Sequence, residues 1–379
     1  MNVRERLSPL LSLALVLLAA CSPAAAPAAA PAAPASAPAV PAGSQGPWDT
    51  VLAAARQEGT VAVAGGPGAD YREAIMEFRT RYPDIQVEYQ GLNARDMQAR
   101  FYQEREAGQY LWDVLINGPT TFDITAKKQG DLVPLRPALM LPEVLDESAW
   151  FGGFQQAFLD SEKQYVFAFQ AEVSAQVYVN RDIVPESELS TIQGLLDPRW
   201  KGKIAIDDPR FDGAGSGRIA AWSGLLGDDF VRGFLRQDLV LTRDQRQLAE
   251  WVVRGRYPIG VGIGAGDLTR FQQEGVGVNV KPLGGKTPEA WRLSSGFGVV
   301  RLADKAPHPN AAKVLVNWLL SKDGQTAWVT KAARASRRLD VPQLPGISPD
   351  TAIDYYDIDR EENLPLRDRA KELATEALG

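Results

Sequence analysis

Lys203-Ile204-Ala205-Ile206-Asp207-Asp208-Pro209-Arg210-Phe211-Asp212-Gly213-Ala214-Gly215-Ser216-Gly217-Arg218-Ile219-Ala220-Ala221-Trp222 reads as strand, turn and helix. Ile204 and Ile206 alternate as in a short buried strand, and Asp207 to Pro209 end it. Gly213, Gly215 and Gly217 free the backbone for a tight turn, and Ser216 is placed to cap the helix from Arg218 to Leu226. A turn of this kind presents unpaired N–H groups at a helix start, where the helix dipole also favours negative charge. Arg210 and Arg218 flank it, each with a guanidinium fork suited to an anion. The turn is neither a Walker loop nor a dinucleotide fingerprint, and a plain Asp-Gly turn with solvent-facing arginines is the alternative.

The N-terminus reads as an address. Arg4 and Arg6 precede an apolar run, Leu10 to Ala20, that is short for a bilayer span. Leu18-Ala19-Ala20-Cys21 follows and resembles the lipobox of bacterial lipoproteins, which implies cleavage before Cys21 and lipid on it. Residues 1–21 are thus expected to be a signal peptide. Residues 22–47, almost entirely Ala and Pro, lack side chains able to pack and are expected to form an extended tether. No other cysteine is present, so neither a disulfide nor a second thiol is available.

The chain carries a formal charge of −6; loss of Arg4, Glu5 and Arg6, net +1, would take the side chains to −7. That balance disfavours a nucleic-acid or anionic-membrane binder. One histidine, His308, lies between Pro307 and Pro309 and reads as a helix-start residue. A secreted hydrolase built on a nucleophile–base pair therefore has few parts, and no catalytic residue, metal site or cofactor is expected. A surface adhesin or structural lipoprotein is a third class, one without a closing cleft.

From Trp48 onward, strands at Thr60–Ala64, Ile85–Tyr89 and Val114–Ile116 alternate with helices at 70–82 and 94–107, the pattern of a sheet covered by helices. Within it, Phe78-Arg79-Thr80-Arg81-Tyr82-Pro83-Asp84-Ile85-Gln86-Val87 resembles a signature of family 1 extracellular solute-binding proteins. So do Glu104-Arg105-Glu106-Ala107-Gly108 with Trp112-Asp113-Val114, Asp197-Pro198-Arg199-Trp200-Lys201-Gly202-Lys203-Ile204, and Asn317-Trp318-Leu319-Leu320-Ser321-Lys322-Asp323-Gly324-Gln325. The four stretches keep the family's order and resemble its ferric, phosphonate and polyamine branch.

That resemblance implies an α/β, two-lobed periplasmic-binding-protein fold, type II-like, each lobe a mainly parallel sheet flanked by helices with a hinge between. Lobe 1 is expected over 48–169 with 296–379 returning to it, and lobe 2 over 170–295. The implied function is the lipid-anchored solute-binding component of an ABC importer, not an enzyme. It would sit on the bacterial cell envelope facing the periplasm or exterior, a monomer touching the membrane only through its lipid and working with the permease. Loops after strand ends place the ligand between Gly65, Gly66, Asn117, Gly118 and Thr120 on one jaw and Gly215, Ser216, Gly217, Arg218 and Arg210 on the other. Gly264, Ala265 and Arg337 are added candidates, and Glu172 is either a cleft residue or a charge paired at the hinge. The clustered arginines predict a small anionic solute. Ferric iron is the alternative: the family's ferric binders use adjacent tyrosines, and the pair here, Tyr355-Tyr356, lies beyond the matching region.

Overall fold

The computed structural model describes residues 46–379 apart from Asp212 and Asp354. The expected signal peptide, Cys21 and nearly all of the tether lie outside them. Pro47, the tether's last residue, opens a helix at Pro47–Glu58, where its missing N–H costs nothing, and Gly59 closes that helix at φ 70°.

The strands in chain order are β1 (Thr60–Gly65), β2 (Gln86–Gly91), β3 (Val114–Asn117), β4 (Leu132–Val133), β5 (Phe167–Ala168), β6 (Glu172–Ala175), β7 (Val177–Asn180), β8 (Ile204–Asp207), β9 (Val240–Thr242), β10 (Ile259–Val261), β11 (Val280–Pro282), β12 (Trp291–Ser294) and β13 (Val299–Ala303). They form two large sheets and a two-stranded ribbon. The first sheet runs β2-β1-β3-β13-β4, with β5 also on β13; the second runs β11-β7-β10-β8-β9. Each sheet is mixed. β1 is parallel to β2 and β3, and β8 to β9 and β10, but β13 and β7 pair antiparallel with their neighbours. The antiparallel halves arise where chain that has crossed between the sheets runs back into one of them.

The ribbon β6–β12 carries the crossings. β6 leaves the first sheet's region for β7, and β12 returns to β13. Its register sets Glu172 opposite Ser294 and Ser174 opposite Arg292, alternating with Val173 opposite Leu293. One ribbon face is therefore polar; on the other, Val173 and Leu293 pack with Ile353 and Tyr355.

Phe78 and Ile206 belong to different cores. Around the first sheet, Trp150, Phe154, Phe158 and Phe167 pack with Val314, Leu315 and Trp318 of the helix Pro309–Leu320. Around the second, Ile204 and Ile206 pack with Trp222, Phe230 and Phe234. The closing helix, Pro365–Leu378, is expected with lobe 1 but buries Ala370, Leu373 and Ala374 in this second core. Its small-residue face fits close against the helix Ala214–Leu226. The segment before it stays on the first lobe, where Glu361 accepts hydrogen bonds from Lys127 at 2.7 Å and Ser161 at 2.8 Å. His308 is a helix-start residue: its N–H and Nδ1 both meet the buried Asp113 carboxylate, at 2.7 and 2.9 Å.

Candidate ligand site between the lobes

The strand and helix of the opening stretch form, but the helix starts at Ala214 rather than Arg218 and takes Gly215, Ser216 and Gly217 into its first turn; the reason lies in the glycines. β8 ends at Asp207, and the helix Ala214–Leu226 starts against it. A Cβ on Gly215 would stand 1.8 Å from the Asp207 carbonyl oxygen. The Asp207 carboxylate accepts the Gly215 N–H at 2.8 Å, so a protein side chain already occupies one of the donors expected to face a ligand. Ser216, inside the helix's first turn rather than at its cap, exchanges hydrogen bonds with the Gly213 backbone at 3.1 and 3.2 Å.

This turn is one wall of a cleft of about 440 Å³. Gly213, Ser216, Gly217 and Arg292 line it from the second lobe and the ribbon; Arg95, Gln98, Thr120 and Thr121 line it from the first. Leu364, Arg367, Asp368 and Lys371 close it from the C-terminal segment. Thr120 caps the helix Thr121–Gln129: its hydroxyl accepts the Phe122 N–H at 3.3 Å, and its own N–H bonds Asp123 at 3.0 Å.

The charge is uneven. Arg367 pairs with Asp359, and Lys371 with Asp368 at 2.9 Å. Arg95 is exposed and makes no ion pair among the described residues. Arg218 and Arg292 are the decisive pair. Arg218 is 3% exposed, and one terminal nitrogen donates to Ser174 Oγ at 3.1 Å. Its Nε and other terminal nitrogen, and the Nε of Arg292, are enclosed and have no hydrogen-bond partner. Burial, then the neighbouring Arg292 charge, pulls the Arg218 guanidinium down to about 9; burial lowers Arg292 as well. Of two carboxylates near enough in sequence to pair with Arg218, Asp228 instead bonds Ser223 and Arg369, and Asp212 lies outside the described residues.

Of the residues expected at the site, Thr120, Ser216 and Gly217 line the cleft, and Gly215 and Arg218 sit directly behind them. The others go elsewhere. Arg210 forks onto Asp208 at 3.0 and 2.8 Å and donates to the Gly379 carbonyl at 2.7 Å. Asn117 is buried and ties its own loop, donating to the Leu92 carbonyl at 2.8 Å and accepting the Gly118 N–H at 2.9 Å. Gly118 packs against the Gly296 carbonyl. Gly65 and Gly66 lie beneath Tyr89, whose hydroxyl donates to the Gly66 carbonyl at 2.7 Å. Gly264 and Ala265 begin the helix Ala265–Gln273, where Gly264 N–H is held by Gln245 at 3.1 Å. Arg337 is buried beside Asp357, at 3.5 Å, on the side of the ribbon where Tyr355 lies. Glu172 resolves as a hinge charge: it accepts the Ala335 N–H at 3.2 Å and lies 4.0 Å from Arg334, while burial raises its pKa. Tyr355 and Tyr356 turn apart. The Tyr355 hydroxyl accepts from Asp350 N–H at 3.1 Å, and Tyr356 donates to Asn363 at 2.8 Å.

Sequence reasoning missed Arg95, Arg292, Arg367 and Lys371. Arg292 had a signal: Trp291-Arg292-Leu293-Ser294 alternates apolar and polar as a half-exposed strand does.

Residues 63–326 match the sequence model of the bacterial extracellular solute-binding proteins. The chain belongs to that family. Its proteins are binding proteins rather than enzymes; they bind small-molecule solutes and work with ABC-transporter permeases. No curated protein matches the chain. Among solved structures, it resembles a Trichodesmium protein in complex with iron and citrate, at 17% identity over 84% of this chain and 99% of that one, with a TM-score of 0.65. A ferric binding protein of Bordetella aligns at 17% identity, 84% and 98% coverage and a TM-score of 0.62. A periplasmic binding protein of Actinobacillus pleuropneumoniae, bound to fructose-6-phosphate, aligns at 19% identity, 84% and 98% coverage and a TM-score of 0.55. At these identities the likeness is one of fold: the two-lobed architecture of periplasmic binding proteins.

Proposed function

We propose that this solute-binding protein closes its lobes on a small anionic solute and hands it to an ABC importer, anchored to the envelope by lipid on Cys21. The observation that carries the charge assignment is the Arg218–Arg292 pair, Arg292 lining the cleft and Arg218 enclosed behind it, with three unpartnered nitrogens and no carboxylate bound to them among the described residues. Buried polar groups are ordinarily satisfied, and buried charge is ordinarily paired. A pair left open at a cleft between two lobes is matched by a ligand that arrives with the opposite charge. Its contacts to both lobes would then shift an open–closed equilibrium. Thr120, Thr121, Gln98 and Arg95 supply the first lobe's share of those contacts, and Ser216, Gly217 and Arg292 the second's.

Solved relatives include binders of iron with citrate and of a sugar phosphate, and both cargoes contain anions. Ferric iron without an accompanying anion fits less well. The cleft lining offers it one carboxylate, Asp368, and no tyrosine or histidine among the described residues. A monomer suffices, since every cleft wall comes from one chain.

Thermal unfolding in the presence of anionic, neutral and cationic solutes tests this. A ligand at about 100 times its Kd stabilises the folded state by about 2.7 kcal/mol. Only anions are expected to do so; stabilisation by a cationic or neutral compound alone would overturn the charge assignment and leave the family standing.

The anchor has its own test. No helix of the described residues is long and apolar enough to cross a membrane, and Cys21 is the one cysteine. Cys21→Ser should abolish lipid labelling and leave the protein released or unprocessed in cell fractionation. Normal processing with retention in the membrane would refute the lipid assignment.

A further inference from the structure

We infer that the floor formed by Arg218 and Arg292 takes a doubly charged tetrahedral oxyanion group on a small organic body, the phosphate-ester or phosphonate end of a solute, rather than a carboxylate. This rests on the anionic reading above and narrows it. Arg292 on β12 stands opposite Ser174 on β6, and Arg218 donates to that same Ser174 hydroxyl at 3.1 Å, so both guanidiniums flank one point of the hinge ribbon. A Cβ on Gly217 would lie 3.6 Å from the Arg292 guanidinium carbon, which puts that charge directly over the turn.

Among the described residues, the groups facing the pair leave its charge only partly matched. Arg218 faces Arg292, Tyr178 and Asp207; Arg292 faces Asp359, Asp357 and Arg367. Asp207 is engaged by Gly215 N–H, Asp359 by Arg367 and by Ser295 N–H at 2.8 Å, and Asp357 lies beside Arg337. Among the described residues Asp207 is thus the one carboxylate left to oppose the pair, so the floor keeps a net positive charge, and the unpaired Arg95 across the cleft adds a second. A monocarboxylate brings one negative charge and two coplanar oxygens. A phosphate ester brings about −1.5 to −2 near neutral pH and three acceptor oxygens pointing in different directions. That matches donors arranged around it: the Arg292 guanidinium, with Arg218 behind it, on one side and the Thr120 and Thr121 hydroxyls on the other. The cleft's 440 Å³ exceeds the volume of a bare phosphate several-fold and leaves room for a body reaching toward Gln98, Arg95 and Lys371.

The test is titration calorimetry on the whole mature protein with glycerol phosphate, inorganic phosphate, sulfate, acetate and succinate between pH 5 and 8. Glycerol phosphate should bind more tightly than inorganic phosphate, and both far more tightly than acetate or succinate. Its affinity should fall by up to tenfold per unit as pH drops below about 6, where the dianion takes up a proton. Sulfate, a dianion throughout, should show no such fall. Arg292→Gln and Arg218→Gln should each weaken glycerol phosphate binding about ten- to a hundredfold. Arg210→Gln, whose side chain is tied to Asp208 away from the cleft, should leave it unchanged. Carboxylates binding where phosphate and sulfate do not, with the Arg292→Gln loss retained, would overturn this inference but keep the anionic reading. Inorganic phosphate binding as tightly as the ester would overturn the organic body. Binding of none of the anions, or Arg292→Gln binding as tightly as wild type, would overturn both the inference and the reading beneath it.

Discussion

Asp123→Ala should cost about 3–5 kcal/mol of stability, the usual penalty for stripping one partner from a buried ion pair. Asp123 accepts from Arg301 at 2.5 and 2.6 Å, and Arg301 is wholly buried in β13. Without the carboxylate, a guanidinium remains in the core with backbone carbonyls as its only partners. Those carbonyls are Asn117 at 2.9 Å, Val299 at 3.1 Å and Gly118 at 3.2 Å, so Arg301 also fixes the loop that carries Thr120 and Thr121 into the cleft. The same carboxylate holds the Thr120 N–H at the helix start, adding a cap worth about 1 kcal/mol. Urea unfolding measures the loss. The double variant Asp123→Ala with Arg301→Met should recover much of it, because the buried charge goes as well. A single-variant loss under about 1 kcal/mol would show that water or a rearranged loop compensates, and that the pair does not hold the cleft wall.

How much of this was legible before the structure follows from which forces act locally. That a helix follows β8 was legible from the glycines and serine, which are local devices, but they placed its start at Arg218, four residues past the observed Ala214. The two-lobe division was implied by the four family-like stretches, and the separate cores of Phe78 and Ile206 are consistent with it. The closing helix was readable as amphipathic, but not its partner: Ala370 and Ala374 would suit any helix with a matching groove. Arg210 and Arg218 look equivalent in sequence, yet the Asp208 carboxylate claims the first, while among the described residues the second bonds only the Ser174 hydroxyl and the Ala175 carbonyl. Arg301 sits in Val299-Val300-Arg301-Leu302, where a charge inside an apolar run announces a buried partner without naming Asp123, far away in sequence. Long-range pairing of charges is the information that periodicity does not contain, and the site is built largely from it.

The same substitution two residues apart should act with opposite sign. Gly215→Ala places a Cβ 1.8 Å from the Asp207 carbonyl oxygen and 2.7 Å from its carbon, both backbone atoms of β8. No rotamer relieves such an overlap, so either the helix or the strand must move. The helix is held from three sides: by the Gly215 N–H bond to Asp207 at 2.8 Å, by the turn at Gly262 packed on Ala214, and by Trp222 in the core. Overpacking of this kind costs about 1–3 kcal/mol and occasionally more. Any movement at Gly215 also displaces Arg218, three residues on, so anion affinity should fall together with stability. Gly217→Ala meets only the Arg292 guanidinium, at 3.6 Å, an ordinary van der Waals distance, and its backbone is already helical. Replacing a helical glycine removes unfolded-chain entropy and should raise stability by about 0.5–1 kcal/mol. Urea unfolding and anion titration of both variants separate the two cases. Equal stabilities would mean the Asp207–Gly215 approach is not a constraint on this turn. A destabilised Gly217→Ala would mean that Arg292 is packed too rigidly over the helix to yield, and that the floor of the cleft is set by sterics as well as by charge.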